Sequence, residues 1–350
     1  MRVLVTGHRG YIGPVLVRLL RHAGHAVVGL DADLFRGCSI GRLDPIPAQD
    51  KDLRDVDLGD FDGIDAVVHL AGLSNDPLGD LDPALTEAIN LAGAVRLAAV
   101  AKRAGVRRFA FASSCSVYGT SGAAPVTEED ALNPLTAYAR SKVQAEHELV
   151  RLADDGFCPV ILRAATAYGV SPMIRFDLVI NNLVAWAAAT GRIHIKTDGT
   201  PWRPVVHIED IARAYLAVIE APVPSVHGQI FNVGQNRETY QVRDLAGFVE
   251  TAVPGAAIEF AQDAGPDKRS YRVDFSKFSR VFPAHRARWT ALLGAQEVYR
   301  TVRDLGLRKE DFEGVRYNRL DHIKMLLAAG RVDDALRWRG TVLPAAAAAP

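Results

Sequence analysis

The stretch from Met1 to Asp31 restricts the fold of this chain more than any other. Val3-Leu4-Val5 is a short apolar run of strand type. It leads into Gly7-His8-Arg9-Gly10-Tyr11-Ile12-Gly13, an amphipathic segment to about His22, a second apolar run at Ala26–Leu30, and then Asp31. Strand, glycine turn, helix, strand and acid, in that order, is the βαβ context of a dinucleotide site. Gly7, Gly10 and Gly13, with Tyr11 and Ile12 between them, let the backbone approach a pyrophosphate. The helix N-terminus then offers it free N–H groups and a positive dipole end. Asp31 stands where a carboxylate accepts from a ribose 2′-OH and repels a 2′-phosphate, so NAD is expected over NADP. Arg9 and Arg36 weigh against that preference, because either guanidinium suits a 2′-phosphate. For the triplet alone a bare turn is the plainer reading. The strand before it, the helix after it and the acid beyond it favour a cofactor.

The pattern then repeats. Asp52-Leu53 follows a loop rich in Pro and Asp and is either an adenine contact or an ordinary loop. Ala66-Val67-Val68-His69-Leu70-Ala71-Gly72 reads as a buried parallel strand, and its small end residues leave room for a cofactor beside Leu70, Ala71 and Gly72. A long helix is expected from Pro83 to Ala104, closed by Gly105, with Asn90 making a structural hydrogen bond inside it. Arg108–Ala112 is the next strand and ends in Ser113-Ser114-Cys115-Ser116-Val117-Tyr118-Gly119. A helix capped by Thr136 and a strand at Pro159–Arg163 close this half. Strands alternating with helices give an α/β fold, a doubly wound parallel sheet of Rossmann type, with a smaller α/β substrate-binding domain. The expected division is a cofactor domain over 1–165, to which 205–234 returns, and a substrate domain over 166–204 and 235–343. A flexible tail is expected at 344–350.

Tyr138 and Lys142 lie four apart on the expected helix and so share one face. A nearby ammonium favours ionisation of a phenol, which then exchanges protons with a hydroxyl near neutral pH. Many surface helices carry the same spacing without function. The formal net charge is zero, which gives no electrostatic case for nucleic acid. Three cysteines, Cys38, Cys115 and Cys158, are too few and too scattered for a disulfide framework or a zinc site, so no metal is expected. The N-terminus does not read as a secretory signal. The longest apolar run, Leu183–Ala189, is short and carries Trp186, so no membrane span is expected. A reducing, cytoplasmic setting follows from these features.

A glycine turn after the first strand, a Ser-rich strand end and Tyr-x-x-x-Lys, in this order, resemble the extended short-chain dehydrogenase/reductase family. Within it they resemble the nucleotide-sugar epimerase and dehydratase branch. The matching residues are Thr6-Gly7-x-x-Gly10-x-x-Gly13, Asp31, Asp52-Leu53, His69-Leu70-Ala71-Gly72, Asn90, Ser113-Ser114, Val117-Tyr118-Gly119 and Tyr138-x-x-x-Lys142. The resemblance implies a tightly held NAD. It also implies Tyr138 as acid/base, Lys142 binding the nicotinamide ribose and lowering the Tyr138 pKa, and Ser114 orienting the reacting oxygen. Dehydratases of this branch carry Asp-Glu after that serine. Here Cys115-Ser116 stand there, so the resemblance implies a 4-epimerase acting on a nucleotide-diphosphate sugar. The alternatives are a 4-ketoreductase or dehydrogenase with exchangeable NAD(P)H, and 3/5-epimerisation using Cys115. The cysteine of such relatives aligns with Ser116, and a one-residue offset at a strand end turns Cys115 to the other face.

In the second half the resemblance implies substrate contacts at Ser116, Thr166 (in place of a family Asn), Arg175, Asn181, Arg203 and Arg269. Arg175 is equally well read as the partner of Asp177. Lys268 and Arg272 are the other candidates near Arg269. A homodimer is implied, through a four-helix interface built from the helices near Pro83–Ala104 and Thr136–Asp155.

Overall fold

The computed structural model describes residues 1–122, 124–265 and 269–340, without the side chains of 262–265. The expected tail at 344–350 and Lys268 lie outside the described residues. In the first half, β1 (Arg2–Thr6), α1 (Gly13–His22), β2 (Ala26–Asp31), β3 (Ala48–Asp50) and β4 (Ala66–His69) are followed by α2 (Pro83–Arg103), β5 (Arg108–Ser114), α3 (Ala137–Arg151) and β6 (Cys158–Ala164). The second half contains β7 (Thr166–Tyr168), α4 (Val179–Thr190), β8 (Arg192–Thr197), β9 (Trp202–His207), α5 (Ile208–Glu220) and β10 (Ile230–Val233). It continues with β11 (Thr239–Gln241), α6 (Val242–Ala252), β12 (Ala257–Gly265), α7 (Ala291–Asp304) and α8 (Arg319–Ala328).

Seven strands form one parallel sheet in the order β10-β6-β5-β4-β1-β2-β3. Helices cover both faces, so the central strands are apolar without alternation, and Val3, Leu4 and Val5 are fully buried. The strand order reverses between β1 and β4, which opens a crevice at their carboxyl ends. β3 is an edge strand of three residues that carries no periodic signal of its own. β10 returns to the sheet edge beside β6, and α5 packs on α1. β9 instead joins β7 and β11 in a second sheet, while β8 pairs with β12 in a third. α4, α6 and α7 pack around these strands as a separate core containing Leu183, Leu245 and Val298.

Two expectations change here. α2 is long and apolar enough to cross a membrane by length and composition, unlike the Leu183–Ala189 run. Its Leu85, Ile89, Leu97 and Ala98 are packed in the core with Leu4, Val67 and Phe109. The second concerns α8, which lies in the stretch expected to form the substrate domain. Ile323 and Leu326 from α8, and Val332 and Leu336 beyond it, are buried in the same core as Leu4 and Leu30 of the large sheet. The cause is apolar burial that sequence order does not reveal.

Candidate active site

Two connected cavities lie at the carboxyl ends of β1, β4, β5 and β6. The glycine turn forms the floor of the first. Gly7 has φ +73°, and a Cβ there would fall 2.6 Å from the Ala71 nitrogen. A Cβ at Gly13 would collide with the carbonyls of Gly7 and His8, so Gly13 tightens the turn, whereas Gly10, Tyr11 and Ile12 face the cleft. At the far end Asp31 accepts the Arg9 N–H at 2.9 Å and the Asp33 N–H at 2.8 Å, and burial pushes its carboxyl pKa up.

The objection from Arg9 and Arg36 is answered by neighbours. Arg9 pairs with Asp33 at 3.2 Å and with Asp50, and Arg36 pairs with Asp33 at 2.8 Å and Asp50 at 3.2 Å. Both guanidiniums are thus neutralised beside a third carboxylate, Asp31, which makes the place hostile to a 2′-phosphate. Asp52 and Leu53 line the same cleft, but the Asp52 carboxylate is held by Arg54 and caps a short turn. Leu70, Ala71 and Gly72 form the opposite wall. This donor set fits NAD. The Gly72–Leu73 loop is fixed from behind by Asn90, whose amide exchanges hydrogen bonds of 2.8 and 3.0 Å with the Leu73 backbone. Asn90 reaches it from a π-helical stretch, Glu87–Gly93, inside α2.

Ser114, Tyr138 and Lys142 meet on the wall of the second cavity. Thr136 caps α3 by accepting the Ala139 N–H at 3.1 Å, which sets the phase that turns Tyr138 and Lys142 inward. The Ser114 hydroxyl stands near enough to the Tyr138 phenol to favour its ionised form, and Ser114 Oγ accepts the Ser116 N–H at 3.1 Å. Lys142 Nζ lies 4.6 Å from the Phe111 ring centroid and 5.7 Å from that of Tyr138, with no hydrogen-bond or ion-pair partner among the described residues. Burial lowers its pKa to about 8, opposed by the charge of Glu146 one turn along α3. Glu146 is itself fully buried and paired with Arg163 at 2.6 Å.

The expected lowering of the Tyr138 pKa by Lys142 is not what this structure gives. Burial pushes the phenol up to about 12, and the opposing influences are Arg175 and the Ser114 hydroxyl. Cys115 is also settled by geometry. It is fully buried in the core, its thiol donates to the Arg163 carbonyl at 3.2 Å, and burial pushes its pKa up. It faces away from the cavity, so 3/5-epimerisation through Cys115 has no geometric basis.

Of the remaining candidates, Ser116, Thr166, Arg175, Arg203 and Arg269 line the second cavity, which encloses about 520 Å³. Ser116 Oγ is buried without a hydrogen-bond partner among the described residues, and Thr166 lies beside Tyr271, favouring the ionised form of its phenol. Arg203 Nη1 donates to the carbonyls of Trp202 and Arg269, and Arg269 pairs with Asp76. Arg175 grips Asp177 by two bonds of 3.0 and 2.6 Å and lines both cavities. Asn181 is the exception. It is fully buried and off the cavity, bonded to Tyr11, Gly169 and Arg175, and its neighbour Asn182 lines the wall instead. One helical step turns a side chain by about 100°, which separates the two asparagines. Glu146, Tyr271 and Asn182 have no motif of their own. The only signal for Glu146 was its place one turn beyond Lys142.

Residues 3–234 match the model of the NAD dependent epimerase/dehydratase family. The UDP-glucose 4-epimerase of Mycolicibacterium smegmatis is 36% identical over 299 residues, 80% of this chain and 92% of that protein. The UDP-glucose 4-epimerase of Bacillus subtilis is 26% identical over 85% of this chain and 94% of its own length. Among solved structures, MoeE5 in complex with UDP-glucuronic acid and NAD is 27% identical with a TM-score of 0.75, over 87% of this chain and 99% of that one. The UDP-glucuronic acid 4-epimerase of Bacillus cereus, complexed with UDP-glucuronic acid and NAD, is 25% identical with a TM-score of 0.74, over 87% of this chain and all of that one. A cleft built for NAD, opening onto a Ser, Tyr and Lys group, agrees with these likenesses, and the chain belongs to the NAD-dependent epimerase/dehydratase family.

Proposed function

We propose that this chain interconverts the C4 epimers of a nucleotide-diphosphate sugar, with a UDP-hexose as the first candidate because its relatives are named for UDP sugars. The observation that carries this reading is the meeting of Ser114, Tyr138 and Lys142 on one cavity wall, with Cys115-Ser116 where a dehydratase of this branch has acids. Bound NAD supplies a reversible hydride acceptor. The chain supplies the rest. Tyr138 takes the proton of the C4 hydroxyl and returns it later, while Ser114 fixes the reacting oxygen. Lys142 holds the nicotinamide ribose. Turning the keto sugar in the cavity before its reduction inverts the carbon. Gly7, Gly10, Tyr11, Ile12 and Gly13 cradle the pyrophosphate, and Asp31 takes the adenosine ribose. Arg203 and Arg269 hold the sugar diphosphate, since guanidinium forks match phosphate oxygens.

The same reading makes 1–165 with 205–234 the cofactor domain, and makes 166–204 with 235–343 the substrate domain, from which α8 packs against the large sheet. It places the protein in the cytoplasm as a homodimer. Leu81 and Leu135 are exposed beside α2 and α3, which supports a four-helix interface there. Purified protein incubated with UDP-, dTDP-, GDP- and CDP-sugars, without added cofactor, tests the reaction. The expected result is an equilibrium mixture of two epimers of one sugar and no net NADH. Steady NADH release would make the enzyme a dehydrogenase instead.

A further inference from the structure

The resemblance gave the C-terminal region no role at the cofactor, yet this region reaches the cofactor cleft. From α8 onward it is fastened to both sides of the adenosine end. Trp338 Nε1 donates to the Ala32 carbonyl at 2.6 Å, and His322 Nε2 lies 3.1 Å from the Leu34 carbonyl. On the other side Arg54 donates to the Ala335 carbonyl at 2.7 Å, and Arg337 pairs with Asp55. Leu336, held at φ +57°, and Arg319 complete the cleft wall between these anchors.

Arg319 is an anomaly in that wall. Its guanidinium lies 4.4 Å from the Phe35 ring centroid and has no hydrogen-bond or ion-pair partner among the described residues. Burial and the charge of Arg175 push its pKa down to about 10, against Asp177, Cys38 and Asp31. Arg175 is already paired with Asp177. The Asp177 carboxylate is thus taken by Arg175, and the half-buried Arg319 is left with a charge whose partial desolvation an anion in the cleft would offset. The floor opposite, a glycine turn and helix N-terminus, favours an anion as well.

We propose that Arg319 is a cofactor-binding residue, carried over the cleft by the C-terminal segment to neutralise the pyrophosphate and, with Leu336, to retain NAD. The inference rests on the NAD site described above. It makes the C-terminal segment part of the cofactor site and accounts for the burial of α8 against the large sheet.

The test compares the wild type with Arg319→Gln and Arg319→Lys. NAD is released by acid and quantified, its dissociation is followed after dilution, and ADP-ribose and adenosine are titrated into NAD-free protein. Loss of charge-assisted hydrogen bonds to the pyrophosphate is expected to speed NAD release roughly ten- to hundredfold in the Gln variant. ADP-ribose affinity is expected to fall by a similar factor, with adenosine affinity unchanged and the Lys variant in between. Melting of the NAD-free proteins checks folding. If the Gln variant melts early, the Lys variant, which keeps the charge and loses the fork, carries the test. NAD and ADP-ribose held as tightly as in the wild type would overturn the proposal. A wild type that binds no NAD would overturn the cofactor site itself.

Discussion

The two cavities share the wall formed by Gly72, Ser74, Ala112 and Arg175, and they are built in opposite ways. At the ribose end of the cofactor cleft, Asp31, Asp33, Asp50, Arg9 and Arg36 satisfy one another. Around the sugar cavity, Ser116 Oγ and Lys142 Nζ have no hydrogen-bond partner among the described residues. The first site is organised before its ligand arrives, which lowers the ordering cost of binding. The second stores unmet polar groups whose desolvation cost is recovered when a ligand bonds to them. A tightly retained cofactor and a substrate that must come and go suit this division. Arg319 is the cofactor-side guanidinium that departs from it.

The largest expected effect separates the two cavities by one atom. Tyr138→Phe removes the proton carrier and leaves the cofactor cleft intact. Turnover is expected to fall on the order of a hundred- to ten-thousandfold, with the NAD content of the purified protein unchanged. Full turnover in that variant would refute the assignment. A smaller effect is expected on the sugar side from Arg203→Ala, because it is assigned to the diphosphate and not to the reacting carbon. The KM for the nucleotide sugar is expected to rise roughly tenfold or more, with kcat little changed. A loss confined to kcat would move Arg203 from binding to chemistry.

A last effect, on stability and not on turnover, probes the rigid cofactor side. Burial lowers the pKa of His8 to about 4 and of His69 to about 3. His69 Nδ1 is 2.7 Å from Thr6 Oγ1, and a Cβ at Gly29 would run into the His8 ring. In the unfolded chain both histidines titrate near the ordinary value of 6.5. Below that pH the unfolded chain takes up protons that the folded chain refuses, so stability falls as pH drops from 6.5 toward 4. Each histidine contributes at most about 1.4 kcal/mol per pH unit. Urea unfolding at pH 7 and pH 5 measures the loss, and His69→Gln is expected to make it shallower. An unchanged slope would mean that His69 charges freely in the folded protein.

What was legible in the sequence was local. The glycine turn, Asp31, the Thr136 cap and the Tyr138–Lys142 spacing each depend on a few adjacent residues and the periods of helix and strand. Asn181 and Asn182 could not be told apart, because a helix phase has to be known to within one residue. Charge spacing around Tyr138 was visible and its burial was not. The apolar residues of α8 show that it packs without showing against what.

The sequence by itself determined a doubly wound sheet, a glycine turn with Asp31 beyond it, and a serine, tyrosine and lysine set, since short-range geometry and side-chain chemistry suffice for those. Only the tertiary structure decided that Asp33 and Asp50 silence Arg9 and Arg36, that Cys115 faces the core, and that Arg319 from the end of the chain reaches the first cavity. Those outcomes depend on long-range packing, which sets both the burial of each group and the charge that stands beside it.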